Sequence, residues 1–221
     1  MFGSFSRESA TLLQRDPLVA AKYASVGVGV AMLANRVSWF YDIRGPSLSL
    51  DTACSSSLVA VHLAVQSLHE GESELSIAAG CNLILNLDAG SVPLSNMGFL
   101  STDGVCYSFD HRALGYARGE GTAVLLLKTL SKALADGDTI RAVIRNTGCN
   151  QDGRTPGITQ PSREAQVSLI RETYRAAGLD LTETGYFEAH GTGTAFEDPR
   201  EAAAIADALC RASDSTDRGR G

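Results

Sequence analysis

The hydrophobic pattern changes period inside residues 47–71, SLSLDTACSSSLVAVHLAVQSLHEG. Leu48 and Leu50 alternate with Ser47 and Ser49, which predicts a strand. Leu58, Val61, Val65 and Leu68 then recur at i, i+3, i+7 and i+10, which predicts a helix closed by Gly71. Val59, Ala60, Leu63 and Ala64 fill most of the remaining circumference, so this helix is expected to be buried nearly all round, with His62 and Gln66 needing polar company. Cys54 falls at the bend between the two periods.

The flanking pattern predicts further elements. Residues 7–15 read as a polar helical piece broken at Asp16-Pro17. Residues 25–41 read as one helix with Val30, Leu33, Val37 and Phe40 on a shared face. Residues 75–87 have strand character, with Gly80 allowing close backbone approach, and their apolar stretch is the expected sheet edge for self-association. Residues 91–121 show no period and form a long loop of the lid or lining kind, whose aromatic content argues against disorder. A buried strand at 122–127, a short helix at 130–135 and a strand at 140–145 follow. After a second glycine-rich loop, Ser162 caps a helix running to Gly178, with Val167, Ile170, Tyr174 and Ala177 inward. Residues 184–189 predict a short strand delivering His190. A last helix opens at Asp198-Pro199, where Asp198 and Glu201 have the spacing of a capping box. Alternating strands and helices predict an α/β fold.

Composition narrows the class. Over 221 residues, 44% hydrophobic and 20% charged content is that of a globular chain, neither membrane-spanning nor disordered. A formal net charge of −6 argues against nucleic acid as a partner, since phosphate binding needs a basic face. The five cysteines, at 54, 81, 106, 149 and 210, include no C-x-x-C pair and no zinc spacing with the histidines, so free thiols in a reducing compartment and no bound metal are expected. Residues 1–10 lack the charged start and apolar stretch of a signal peptide, and no apolar run reaches the roughly 18 residues of a membrane span. A soluble, cytoplasmic protein is expected. Gly27-Val28-Gly29 lacks a preceding strand and has Met32 where a small residue belongs, so it does not read as a dinucleotide fingerprint.

Two predicted strand ends carry reactive side chains. Ala53, Ser55, Ser56 and Ser57 leave space around Cys54, and the N–H groups of a helix's first turn favour a thiolate there, which is a nucleophile. His190, followed by Gly191-Thr192-Gly193-Thr194, could be its acid/base partner if both strand ends share one face of a sheet. By position alone, a packing cysteine and an ordinary hydrogen-bonding histidine remain open.

The segments themselves are more specific. DTACSSSLVAVHLA at 51–64 and EAHGTGT at 188–194 resemble the β-ketoacyl synthase (ketosynthase) domain of polyketide synthases, closest in flavour to fungal highly reducing enzymes. STDGVCYSFDHRALGYARGEG at 101–121, NQDGRTPGITQPSREAQ at 150–166 and DPREAAAIADAL at 198–209 match the same family in the same order. The resemblance implies a thiolase-like α-β-α-β-α layered fold, incomplete at both ends. Residues 1–128 would form most of its first half and 129–209 the start of the second, while the polar, low-complexity stretch 210–221 reads as a disordered tail. It further implies that Cys54 accepts an acyl chain and that His190 stabilises the enolate of a malonyl unit during decarboxylative Claisen condensation. Thr192 and Thr194 would hydrogen-bond the phosphopantetheine arm, which belongs to a partner acyl carrier protein, so no cofactor is bound by the domain itself. The implied partners are that carrier, acyl and malonyl thioesters, and a second copy of the chain. The family's second histidine, in a later NIGH-type segment, and its closing glycine-rich oxyanion segment do not occur in these residues. Glu197 stands where glycine is usual, Arg200 where an aliphatic residue is usual, and Leu114 where a polar residue is usual. Two other readings stay open: a fragment with no condensing activity, and a cysteine thioester hydrolase using Cys54 and His190.

Overall fold

The computed structural model describes residues 1–4, 8–13, 15, 16, 18 and 21–216. Of the predicted piece at 7–15, residues 8–13 are helical; Arg7, Gln14 and the expected break at Pro17 lie outside the described residues. Close contacts divide the chain into two units, Met1–Leu94 with Gly119–Val143, and Ser95–Arg118 with Ile144–Gly221.

The first unit contains β1 (Phe2–Gly3), α1 (Glu8–Leu13), α2 (Ala24–Val28), α3 (Met32–Phe40), β2 (Ser49–Leu50), α4 (Ser56–His69), β3 (Leu75–Asn82), most of α5 (Leu87–Asn96), β4 (Gly121–Lys128) and α6 (Leu130–Ala135). Its sheet has the order β2-β1-β3-β4. β1 lies parallel to both neighbours, whereas β3 and β4 run antiparallel from Leu75 opposite Lys128 to Asn82 opposite Gly121. β3 therefore has a neighbour on each side, so the 75–87 stretch is not the edge it was expected to be. The edges are β2 and β4, and the expected burial of β4 is also corrected: Val124 is 60% and Leu126 67% exposed.

Packing on α4 departs from the all-round burial that its apolar pattern suggests. Its buried positions are Ser56, Ala60, Ala64, Val65, Ser67 and Leu68, while Leu58 is 73% exposed. The cause is a close approach. A Cβ on Gly3 would lie 2.4 Å from the Ser56 carbonyl carbon, and one on Gly80 would lie 2.7 Å from Ser57 Cβ. With glycines on β1 and β3, the helix meets the sheet through its small residues, and the larger ones point elsewhere. Gly80→Val is expected to push back the first turn of α4 at a cost of about 1–3 kcal/mol. A thermal melt measures it, and an unchanged midpoint would contradict the close approach.

β3 stops at Asn82 because carboxylates take the next backbone donors. Ile84 N–H donates to Glu120 Oε1 at 2.6 Å, and Leu85 and Asn86 N–H both donate to Glu8 Oε2 at 2.6 Å. Asn86 Oδ1 then accepts from Asp88 N–H at 3.1 Å at the start of α5, so the long aperiodic loop begins only after Asn96. The single helix expected at 25–41 is two. Gly29 is extended (φ −63°, ψ 129°) and closes α2 by donating to the Ser25 carbonyl at 3.0 Å. Among the described residues, 140–145 and 184–189 join no ladder, so the strands predicted there are not found. Lys128 Nζ, at the end of β4, binds Asp136 at 2.6 Å and Asp138 at 2.5 Å, tying the strand to the far end of α6.

The second unit is built on α7 (Arg163–Ala177), a short 3-10 turn at Leu181–Glu183 and α8 (Glu197–Thr216). Ser162 caps α7 as predicted, its Oγ accepting from Ala165 N–H at 3.1 Å, and the helix ends at left-handed Gly178. Val167, Ile170, Tyr174 and Ala177 are half-buried rather than fully inward. Ala204 and Ala208 of α8 are fully buried, and Arg171 Nη2 donates to the Asp207 carbonyl at 2.6 Å. α8 runs on to Thr216, so the first part of the tail expected at 210–221 is helical; residues 217–221 lie outside the described residues. Among the described residues no helix is long and apolar enough to cross a membrane.

Candidate active site

Cys54 belongs to the first unit and the His190 loop to the second. Cys54 lies two residues before α4, where the chain turns out of β2 through Ala53 in the left-handed region, at φ 55°. That turn is held locally. Ser56 Oγ accepts from Thr52 N–H at 2.8 Å and donates to the Ala53 carbonyl at 2.6 Å, and Ser55 Oγ donates to the Thr52 carbonyl at 2.9 Å. The serines around the cysteine thus fix the bend, beyond leaving space for sulfur. No side chain caps α4 at Ser55. Cys54 is exposed and lines an open cleft of about 360 Å³ with Gly3, Ser57, Gly80, Cys81 and Thr122. The second thiol of this cleft, Cys81, accepts a hydrogen bond from Thr122 Oγ1 at 3.1 Å.

In the second unit, Asp198 and Glu201 hold the histidine loop and do not form the capping box their spacing suggests. Asp198, 3% exposed, accepts through Oδ1 from Gly193 N–H at 3.1 Å and Thr194 N–H at 3.3 Å, and through Oδ2 from Phe109 N–H at 2.7 Å. Glu201 accepts from His190 N–H at 2.6 Å and Gly191 N–H at 2.8 Å. The capping oxygen of α8 is instead Thr194 Oγ1, which accepts from Glu197 N–H at 3.1 Å. Gly193 adopts φ +77°, and a Cβ there would lie 2.9 Å from Tyr107 N, so a side chain is excluded on both counts.

The loop 101–118 closes on the same segment. Gly115 N–H donates to the Gly193 carbonyl at 3.0 Å, Leu114 bridges Thr194, and Ser108 Oγ donates to the Gly191 carbonyl at 2.5 Å. This loop is braced by Arg112, which holds Asp110 through two 2.9 Å hydrogen bonds and lies over the Tyr107 ring. Those bonds keep the Asp110 carboxyl below the usual carboxylate range, and Ser101 followed by Tyr107 does the same for Asp103. His190 is exposed. Thr192 Oγ1 donates to Glu197 Oε2 at 2.9 Å and lies 3.4 Å from Thr194 Oγ1. The structure thus gathers His190, Thr192 and Thr194 in one braced loop. Arg200 packs over Phe196 and donates to the Pro161 carbonyl at 3.0 Å.

The pattern of the β-ketoacyl synthase N-terminal domain matches residues 1–133, and that of the β-ketoacyl synthase C-terminal domain matches residues 141–218. The reducing polyketide synthase pksF of Alternaria solani is 57% identical over 211 residues, covering 95% of this chain and 9% of that protein. Lovastatin diketide synthase lovF of Aspergillus terreus is 57% identical over 196 residues, covering 89% of this chain and 8% of that protein. Among solved structures, the ketosynthase from module 6 of the bacillaene synthase of Bacillus subtilis 168 superposes with a TM-score of 0.88 at 38% identity, covering 96% of this chain and 36% of that one. The oxazolomycin ketosynthase domain OzmH KS7 of Streptomyces albus JA3453 gives 0.84 at 40% identity, covering 94% and 36%. The chain spans less than a tenth of the length of these two polyketide synthases and about a third of the two solved ketosynthases. It belongs to the β-ketoacyl synthase family, as part of a thiolase-like ketosynthase domain similar to those of fungal reducing polyketide synthases.

Proposed function

We propose that these residues form the acyl-accepting part of a ketosynthase that extends a polyketide by two carbons. The observation that carries this reading is Cys54: an exposed thiol at the uncapped start of α4, in an open cleft, within the DTACSSS segment. Its thiolate attacks the carbonyl of an acyl thioester on a carrier protein. The new S–C bond forms as the carrier's phosphopantetheine thiol leaves, and the positive end of α4 favours the negative charge that develops on the oxygen. A malonyl thioester then loses carbon dioxide, and its enolate forms a C–C bond to the acyl carbonyl and releases Cys54. His190 hydrogen-bonds the enolate oxygen as charge develops there, and Thr192 and Thr194 hold the phosphopantetheine arm. In this reading residues 1–128 supply most of the first thiolase-like half and 129–209 the opening of the second. The setting is the cytoplasm, with a carrier protein as partner. A homodimer pairing sheet edge to edge would use β2 or β4, because β3 is interior.

A second reading has its own support. The chain covers 36% of the matched ketosynthases, and the family's second histidine is not among its residues. Residues 1–221 by themselves are therefore expected to load Cys54 but to elongate at least about 10²-fold more slowly than a full ketosynthase, the typical cost of losing one enolate-stabilising donor. The experiment mixes them with an acyl thioester and malonyl-loaded carrier. Mass spectrometry reads acyl-Cys54, and released carbon dioxide and a lengthened product are followed separately. Elongation at full rate overturns the second reading; hydrolysis of the thioester without a persistent acyl-Cys54 would favour a hydrolase over both.

A further inference from the structure

Glu197 is the residue of the histidine loop whose identity the family resemblance does not supply, and its carboxylate reaches the first of the two threonines. A threonine hydroxyl has one proton to donate and two lone pairs to accept with, whereas an ionised carboxylate only accepts. The 2.9 Å contact between Thr192 Oγ1 and Glu197 Oε2 therefore commits the single Thr192 proton to Glu197. Thr194 Oγ1 stands 3.4 Å from Thr192 Oγ1, so the contact between the two hydroxyls can be made only with Thr194 as donor. Thr194 Oγ1 also accepts the Glu197 backbone N–H at 3.1 Å. The same residue thus anchors the pair at both ends: its N–H fills one lone pair of Thr194, and its carboxylate takes the Thr192 proton, which leaves Thr192 Oγ1 as an acceptor facing the Thr194 hydroxyl. Thr192 is left with a lone pair and no proton to offer, and Thr194 offers its proton elsewhere only by giving up the 3.4 Å contact with Thr192.

From this arrangement we infer that Glu197 sets the specificity of the Thr192–Thr194 pair, making it an acceptor for amide N–H groups of a pantetheine arm and not a donor to the arm's carbonyl oxygens. The inference rests on the reading that these threonines touch that arm, and it adds which atoms of the arm they take. With glycine at 197, as the family resemblance has it, both hydroxyls would be free to rotate and could serve either kind of atom.

The test uses acyl-pantetheine thioesters with the full chain. One bears the natural amides, a second replaces each amide N–H by ester oxygen, and a third is an acyl thioester without the arm. The rate of Cys54 acylation is read by intact mass for each. Ratios between two thioesters on one protein preparation do not depend on the fraction folded, so a variant that folds poorly still reports. The unaltered chain is expected to prefer the amide over the ester form about 3- to 10-fold, the value of a neutral hydrogen bond. In Glu197→Gly and in Glu197→Gln, whose amide can offer either an oxygen or an N–H, that preference is expected to fall toward equality. An amide preference unchanged in both variants, while Thr192→Val still reduces the advantage of arm-bearing thioesters, overturns the role of Glu197 and leaves arm binding standing. Equal loading from arm-bearing and armless thioesters, unaffected by Thr192→Val, overturns arm binding and this inference with it.

Discussion

Cys54→Ala is expected to remove acyl loading altogether, a fall of more than about 10³-fold, since no other side chain can replace the attacking sulfur. Exposure alone does not single this thiol out, because Cys106, Cys149 and Cys210 are exposed as well. The difference lies in what surrounds each one. Cys54 stands at the start of a 14-residue helix with no side-chain cap. Cys106 Sγ accepts from Ala117 N–H at 3.0 Å within a braced loop, and Cys149 lies in an irregular segment with no helix beginning at it. Aligned peptide groups at a helix start favour a thiolate, and exchange with a thioester needs the thiolate. Cys106→Ala and Cys149→Ala should therefore load normally. Limiting alkylation followed by peptide mapping gives an independent measure, with Cys54 labelled first. Acyl transfer that survives Cys54→Ala, or a faster-labelling cysteine elsewhere, would end the assignment.

Features decided by a few neighbouring residues were legible in the sequence. Ser162 and Gly178 bound α7 as expected, because a cap depends on one hydroxyl three residues from its N–H and on one left-handed residue. The bend at Cys54 was equally local, and the close approach at Gly80, although its partner Ser57 is on another element, was marked by a glycine inside an apolar stretch. What failed was decided at a distance. β4 has the apolar run of a buried strand yet is an exposed edge, and β3 is interior. Residues 140–145 have strand composition but pair with no strand among the described residues, because composition states a preference and pairing requires a second strand. The same limit applies at the site. Asp198 and Glu201 have capping-box spacing, yet their carboxylates are spent on the histidine loop and, for Asp198, on Phe109, 89 positions away. Only the burial of Asp198 separates the two uses, and burial is not written in a three-residue spacing. Glu8 was missed for a like reason: its partners, Leu85 and Asn86, are 77 and 78 positions away.

Asp198 should be the most sensitive structural position of the histidine loop. Its two oxygens serve three backbone donors on two segments, at 2.7, 3.1 and 3.3 Å, and the side chain is almost fully buried. In Asp198→Ala those donors lose a charged acceptor, and the buried Gly193 N–H has no water to turn to. Each such group left unsatisfied costs about 1–3 kcal/mol, less where solvent can reach. A total of about 2–4 kcal/mol is expected, or a fall of roughly 4–16 °C in Tm for a chain of this size. Asp198→Asn is the sharper variant because it keeps the volume. One oxygen remains to accept, but the amide nitrogen must then face a backbone N–H, donor against donor. Amide hydrogen exchange separates this from a general loss of stability. In Asp198→Asn, exchange at Phe109, Gly193 and Thr194 is expected to accelerate about 10- to 100-fold, which corresponds to roughly 1.4–2.7 kcal/mol of local opening. Glu201→Gln should act instead on His190 and Gly191, the two amides its carboxylate binds. Unchanged protection at Gly193 and Thr194 in Asp198→Asn would show that the loop is held by something other than this carboxylate.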